Sequence, residues 1–270
     1  MAVAPWIVSD ELWELIEPLL PKKERSRPGG RCRHPDRQTL SGILFVLHTG
    51  IAWRHLPAEL GFGSGVTCWR RLDEWQRAGV WVKLHGLLLE RLRAAGQIEW
   101  TRAVVDSSHI QAKKGGAKTG PSPVDRGRLG SKHHLIVDQG GIPLAFALTG
   151  GNRHDVTQMI PLVDRIPAVR GTVGRPRRRP DQLVGDRGYD FRSHRRQLRQ
   201  RGIKPVIARR ATKHGSGLGR FRWVVERTFA WLHQFRRLLV RYERRADIHE
   251  AFLAIGCCLI CSRRLTDNSK

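Results

Sequence analysis

The succession of apolar periodicities predicts an α/β protein, a mixed sheet flanked by helices and preceded by a small all-helical unit. Three observations carry that prediction. Before residue 95 apolar side chains recur at helical spacing, with no strand-type run between them. After Gly96 short Val/Ile/Leu runs alternate with helical stretches. The chain has 270 residues, 40% of them hydrophobic, enough to build a core despite a formal net charge of +25.

Taken in order, WIVSDELWELIEPLL at 6–20 repeats apolar positions every three or four residues, and Ser9 with Asp10 marks a helix start. Pro21–Pro35 is basic and rich in Gly and Pro, hence a loop. Asp36–Thr49 reads as a second helix, with Leu40, Ile43, Leu44 and Leu47 on one stripe. Ser64–Arg77 reads as a third, opened by Ser64, and Val80–Ala95 as a fourth. Residues 1–95 thus form a helical domain, expected to contact DNA in the manner of helix-turn-helix readers, with Arg70 and Arg71 as its candidate contacts. Residues 96–270 form the second domain. Arg102–Ser107 is strand-like; His133–Val137 and Ile142–Leu148 are two strands joined by a turn at Gln139-Gly140-Gly141. Gln158–Ile166 is helical, Gly171–Pro180 a basic loop, Gln182–Val184 a strand, Arg192–Arg201 a helix and Pro205–Ile207 a strand. Two helices close the chain, Gly219–Arg241 and Asp247–Arg264. Gln111–Arg128, with Lys113 and Lys114, reads as a mobile basic loop facing a nucleic-acid backbone.

The charge narrows the function. Lys plus Arg total 49 against 24 Asp plus Glu, and arginines outnumber lysines 39 to 10. Such a surface meets polyanions, and arginine's planar fork suits phosphate. No apolar run reaches the ~20 residues needed to span a bilayer, and four acids between Asp10 and Glu17 interrupt any signal-peptide pattern. The expected location is the cytoplasm, on DNA. Of the five cysteines, Cys257, Cys258 and Cys261 fall in one apolar helical run without further ligands at zinc spacing, so buried thiols are expected.

Three acids stand out against the basic background. Asp106 follows Val104-Val105 in a strand. Asp186 lies just past the Leu183-Val184 strand, on a glycine-flanked turn, where open α/β sheets gather ligands. Glu226 lies in the helix from Gly219. On a helical wheel Glu226 shares its face, within about 40°, with Arg222, Ala230, His233 and Arg237, opposite Val224, Leu232, Phe235 and Leu238. Periodicity alone fits a solvated face with an Arg222–Glu226 pair. Convergence of the three acids fits a divalent-cation site, because carboxylates that close repel until a cation joins them. Asn152, His154 and Asp155 are expected to shape a turn and cap the following helix, with a place lining the site near Asp106 as the alternative, and Asp138 is expected to be a turn residue.

Several ordered motifs carry a resemblance: VVDSSHIQAKKGG at 104–116, SKHHLIVDQGGIPLAFALTGGNRHD at 131–155, VGDRGYD at 184–190, RWVVERTFAWLHQFRRL at 222–238, and TGIAWRHLP at 49–57. Together they resemble the DDE transposases of bacterial insertion sequences, the insertion-sequence-five family and its insertion-sequence-four relatives, over nearly the whole chain. The resemblance implies an RNase H-like catalytic core with Asp106, Asp186 and Glu226 as catalytic and metal-binding acids, holding Mg²⁺ or Mn²⁺ as two ions. It implies double-stranded DNA partners, the element's terminal inverted repeats and target DNA, and a homodimer or larger assembly on them. It implies two steps: water attacks a phosphodiester at the transposon end, and the freed 3′-OH attacks target DNA. In a related signature, Y-x2-R-x3-E-x6-K, Arg222 and Glu226 match, while Gly219 stands for the Tyr and His233 for the Lys; Arg236 or Arg237 could supply that cation. A DNA-binding protein with a decayed catalytic domain, or an RNase H-like nuclease without strand transfer, are the alternatives.

Overall fold

The computed structural model describes residues 4–22, 32–210 and 217–267. The first helix, α1 (Asp10–Ile16), begins where the Ser9 hydroxyl accepts the Leu12 N–H. Helix α2 spans Asp36–Thr49 and α3 spans Gly65–Arg77, the latter capped by Ser64 through the Thr67 N–H. Helix α4 covers Val80–Ala94. The expected loop at 21–35 is non-helical where it is described; residues 23–31 of it lie outside the described residues.

Seven strands then build one sheet: β1 (Ala103–Ala112), β2 (Gly120–Pro121), β3 (Leu129–Asp138), β4 (Pro143–Gly150), β5 (Gln182–Gly185), β6 (Lys204–Ile207) and β7 (Val240–Arg241). Helices α5 (Val156–Arg165) and α6 (Arg192–Gln200) fall between strands, and α7 (Gly219–His233), α8 (Arg236–Leu239) and α9 (Ala246–Asp267) follow. The main sheet order is β4-β3-β1-β5-β6, with β1, β5 and β6 parallel and β3 antiparallel to both its long neighbours. That order and direction are those of an RNase H-like core, as the sequence motifs imply.

Register assigns the faces. On β3 the His133 ring meets His249 of α9, Nε2 to Nε2 at 2.9 Å, whereas the next residue back, Lys132, reaches Asp155 at the head of α5. Asp106 lies opposite Leu135, and Ser107 opposite His134. Paired residues share a face, so Asp106 points to the side of α7 and α9 and Ser107 to the side of α5. Helix α6 packs beside α5. The helices before residue 95 lie on the other side: α4 packs along α9, α3 on α9, and α2 on α8. Apolar burial runs unbroken from Leu40, Trp75 and Leu88 through Val105 and Ile136 to Phe252. Cys257, Cys258 and Cys261 are buried free thiols in α9, as expected. Among the described residues no helix is long and apolar enough to cross a membrane.

Two expectations fail. The single helix over Gly219–Arg241 stops at His233, and the chain turns extended at Phe235 before the short α8 and the strand β7, which pairs with Gln111 and Ala112 of β1. Tertiary bonding outweighs helical periodicity here. The buried Arg241 guanidinium donates to the carbonyls of Glu243, Lys118, Ala117 and Arg244 and to Ser131 Oγ, at 2.8–3.2 Å. Gly256 of α9 makes room for the turn; a Cβ there would stand 2.8 Å from Leu238 Cδ1. The second failure is the basic loop at 111–128. Its start extends β1, its middle forms β2, and the Ala117 and Lys118 carbonyls are anchored on Arg241. Gly116, at φ +108°, passes so close to the Arg244 carbonyl that a Cβ would fall 2.0 Å from its oxygen.

Candidate active site

The three acids come from a strand, a turn and a helix. Asp106 is carried in mid-strand by β1, and its Oδ1 accepts the Ser107 N–H at 2.8 Å. Asp186 follows β5 and caps the turn Arg187–Tyr189, with Oδ1 accepting the Gly188 N–H at 2.8 Å. Glu226 is exposed on α7, one helical turn beyond Arg222. Arg222 links them. Its Nη2 donates to Asp106 Oδ2 at 3.0 Å, with the two side chains 28% and 17% exposed. Burial works against the Arg222 charge, yet the bond to Asp106 and the charges of Asp106, Asp186 and Glu226 more than offset it and lift its pKa. Burial raises the pKa of Asp106; Arg222 and the Ser107 N–H oppose the rise, and the Asp186 charge adds to it. The pair the wheel suggests, Arg222 with Glu226, is replaced by a pair 116 residues apart.

Carboxylate oxygens are the donors that hard divalent cations prefer, and a guanidinium, that of Arg222, lies beside these acids here. Among the described residues no three His, Cys, Asp or Glu side chains lie close enough to hold one ion as they stand. The donor chemistry fits such an ion, and Arg222 Nη2 occupies Asp106 Oδ2 at 3.0 Å.

A second layer lies behind the strand, on the α5 face. Asp155 accepts from Lys132 Nζ at 2.8 Å; Lys132 is 5% exposed and also donates to the Arg153 carbonyl. Burial opposes ionisation of Asp155, but Lys132 and the Ser107 hydroxyl keep its pKa below the ordinary value. Asp155 therefore does more than begin a helix: it makes no capping bond on α5 and instead holds Ser107, the neighbour of Asp106. Burial pushes His134 down to about 4, so it sits uncharged beside this pair, bonded to Thr149 Oγ1 at 2.7 Å. The buried Tyr189 phenol has its pKa pushed well up, first by burial and then by the charges of Asp106, Asp155 and Asp186. Nothing in periodicity marks Tyr189; its only sequence signal is its place three residues after Asp186. Asp138 proves more than a turn residue. It is fully buried, spans the hairpin by accepting the Ile142 and Glu99 N–H groups, and is raised by burial to about 6.

The candidate DNA contacts divide sharply. Arg70, Lys113, Lys114 and Arg236 are exposed. Arg70 borders a cavity of about 520 Å³ that Arg33, His34 and Thr67 also line. Arg71 is 6% exposed and pairs inward with Asp36 and Glu74, at 3.3 and 3.7 Å, so it is a structural cation. Arg237 is equally internal: it pairs with Glu243 at 3.0 Å and donates to the Gly50 carbonyl. The helix break removes it from the Glu226 face. His233 is also corrected. Its Nε2 is buried, burial lowers its pKa, and its ring lies near Phe229 and His133, so it offers no cation at the site.

With this geometry in view, a family model described as "Transposase DDE domain" matches residues 101–261, and one described as "Putative transposase of IS4/5 family" matches residues 8–85. A "Putative transposase for insertion sequence element IS402" of Burkholderia cepacia is 61% identical over 160 residues, 59% of this chain and 74% of its own length. A second protein of the same element, an "uncharacterized 16.2 kDa protein", is 60% identical over 119 residues, 43% of this chain and 81% of its own. Among solved structures, a pre-cleavage Mos1 transpososome aligns over 89% of this chain and 81% of its own at 14% identity and a TM-score of 0.28, too distant a likeness to argue from.

Proposed function

This chain belongs to the DDE transposase family of the insertion-sequence four and five type, and from that premise we propose that Asp106, Asp186 and Glu226 are its catalytic acids, cutting the ends of its own element and joining the freed 3′-OH to target DNA. The observation that carries the assignment is Arg222 of α7 bonded across to Asp106 of β1 at 3.0 Å, with Asp186 and Glu226 near enough for their charges to help raise its pKa. The family uses divalent metal; Mg²⁺ or Mn²⁺, as a pair of ions, suits an all-carboxylate donor set. When bound, such ions polarise the scissile phosphate and ease ionisation of the attacking hydroxyl. Asp106, fixed by the Ser107 N–H, and Asp186, fixed by the Gly188 N–H, would hold them together with the exposed Glu226. Arg222, exchanging a carboxylate for a phosphate, would bring the DNA backbone to the acids. Lys132, Asp155 and Ser107 keep β1 in place behind Asp106.

In the same reading the helical segment 1–95 is the DNA-binding unit and 96–270 the catalytic unit. Arg70, Lys113, Lys114 and Arg236 touch the backbone of the element's terminal inverted repeats, at least two copies of the chain assemble on them, and the protein works on the nucleoid. The test incubates the full chain with duplex carrying the element's end and Mg²⁺. Nicking is expected with wild type. Glu226→Gln and Asp106→Asn should each lower the rate by about 10²-fold or more, with DNA affinity within about threefold of wild type, or ~0.7 kcal/mol. Equal nicking by either variant overturns the assignment. Joining of a pre-cut end distinguishes a transposase from a plain nuclease.

A further inference from the structure

Strand transfer brings two DNA segments to one set of acids, so a chain that performs it needs a second surface for a duplex. Resting on that reading, we propose that an arginine stripe on α6, Arg192, Arg196 and Arg199, continued by Arg178, holds the backbone of the target duplex.

All four side chains are exposed; among the described residues the three on α6 form no ion pair, while Arg178 feels the charge of Asp164. Their neighbours are committed. Arg195 pairs with Asp190 at 2.7 Å and donates to the Ile207 carbonyl; Arg201 grips both oxygens of Asp164, at 2.7 and 2.8 Å. These two fasten α6 to the body, and the three stripe residues remain on its outer side. At 100° per residue they fall within an arc of about 60°, while Leu198, the buried residue of the helix, lies about 100° or more away. From Arg192 to Arg199 the axial span is about 10 Å, the rise of roughly three phosphates along one strand. The loop ahead of β5 joins the same surface, because Arg179 donates to the Arg201 carbonyl and so lays Arg178 at the far end of α6. Helix α6 contains no acid. Like charges at i and i+4 repel, so a bound polyanion is what resolves the stripe.

Position favours the target over the transposon end. Helix α6 begins only a short turn after Asp186, so the stripe starts a few residues along the chain from one of the acids. It lies with α5 on one face of the sheet, whereas the helices before residue 95 pack with α9 on the other. One straight duplex held by those helices does not also lie along α6; two segments meeting at the sheet end do.

The experiment uses the full chain and a triple variant, Arg192→Gln with Arg196→Gln and Arg199→Gln. Nicking of the element's end should stay within about twofold of wild type, while joining of a pre-cut end to plasmid falls by about tenfold or more. The slope of log affinity against log salt for plain duplex should become shallower by about 2–3. A triple variant with lysines at the same positions should keep most of the joining, since phosphate accepts either cation. Unchanged joining, parallel loss of nicking and joining, or lysines no better than glutamines would each overturn the proposal. Duplex binding needs no catalysis, so an unchanged salt slope overturns it whatever the wild type cuts. A wild type that binds with the expected slope but neither cuts nor joins sinks the transposase chemistry instead.

Discussion

Arg241 and Arg222 both place a guanidinium among oxygen atoms, and they are treated in opposite ways. Arg241 is 1% exposed and all its N–H directions are met by carbonyls and a hydroxyl. Arg222 is more open, makes one bond to Asp106, and feels two further acids that it does not satisfy. The first region is closed: its donors and acceptors balance without any outside group. The second is balanced only in part, since the buried Arg222 Nε has no hydrogen-bond partner among the described residues. Fold and function separate along that line.

The comparison predicts where substitutions hurt. Arg241→Ala should cost about 3–5 kcal/mol in chemical denaturation, because it strands four carbonyls at once; a loss under about 1 kcal/mol would show that the region is not closed at all. His85 is a second closed group, buried, with Nε2 on the Pro143 carbonyl at 2.7 Å, and burial holds its pKa down to about 4. A base depressed in the fold contributes stability above its unfolded value of about 6.5 and loses it as pH falls toward 4, on the order of 3 kcal/mol. His85→Gln keeps the donor and should remove that share of the acid loss. Asp138, raised to about 6, acts in the opposite direction over pH 4–6, so the difference between variant and wild type is the measure. An identical acid limb in both would exclude His85 from the effect. Smallest of all, Arg222→Ala should change stability by less than about 1 kcal/mol while lowering end cleavage. A stability loss as large as that of Arg241→Ala would erase the contrast between the two regions.

Much of the fold was legible because its signals are local. Asp36–Thr49 follows one apolar stripe, Ser64 is a cap, and Gln139–Gly141 is a turn. The strand after Gly96 runs past its apolar signal, because Ser107, Ser108, His109 and Gln111 lack strand-type apolarity yet are each half-buried. The end of α7 has no local signal, because the Ala117 and Lys118 carbonyls that help hold Arg241 come from a distant part of the chain. Among 39 arginines, composition cannot say which turn inward; Arg71 and Arg237 do so because acids elsewhere in the chain receive them. The acids Asp106, Asp186 and Glu226 stood out as exceptions to a basic background. The sequence around Asp155 favours a helix start over a place at the site, since its partner Lys132 arrives from another strand.

The seam between α4 and α9 carries a practical consequence. Trp81, Leu84 and Leu88 of α4 are nearly inaccessible, and Cys258 Sγ donates to the Trp81 carbonyl. Cutting the polypeptide near residue 95 would therefore bare an oily strip on each half. Such halves would be sticky alone and would complement one another when mixed, so activity should return on recombining them, as in a split reporter.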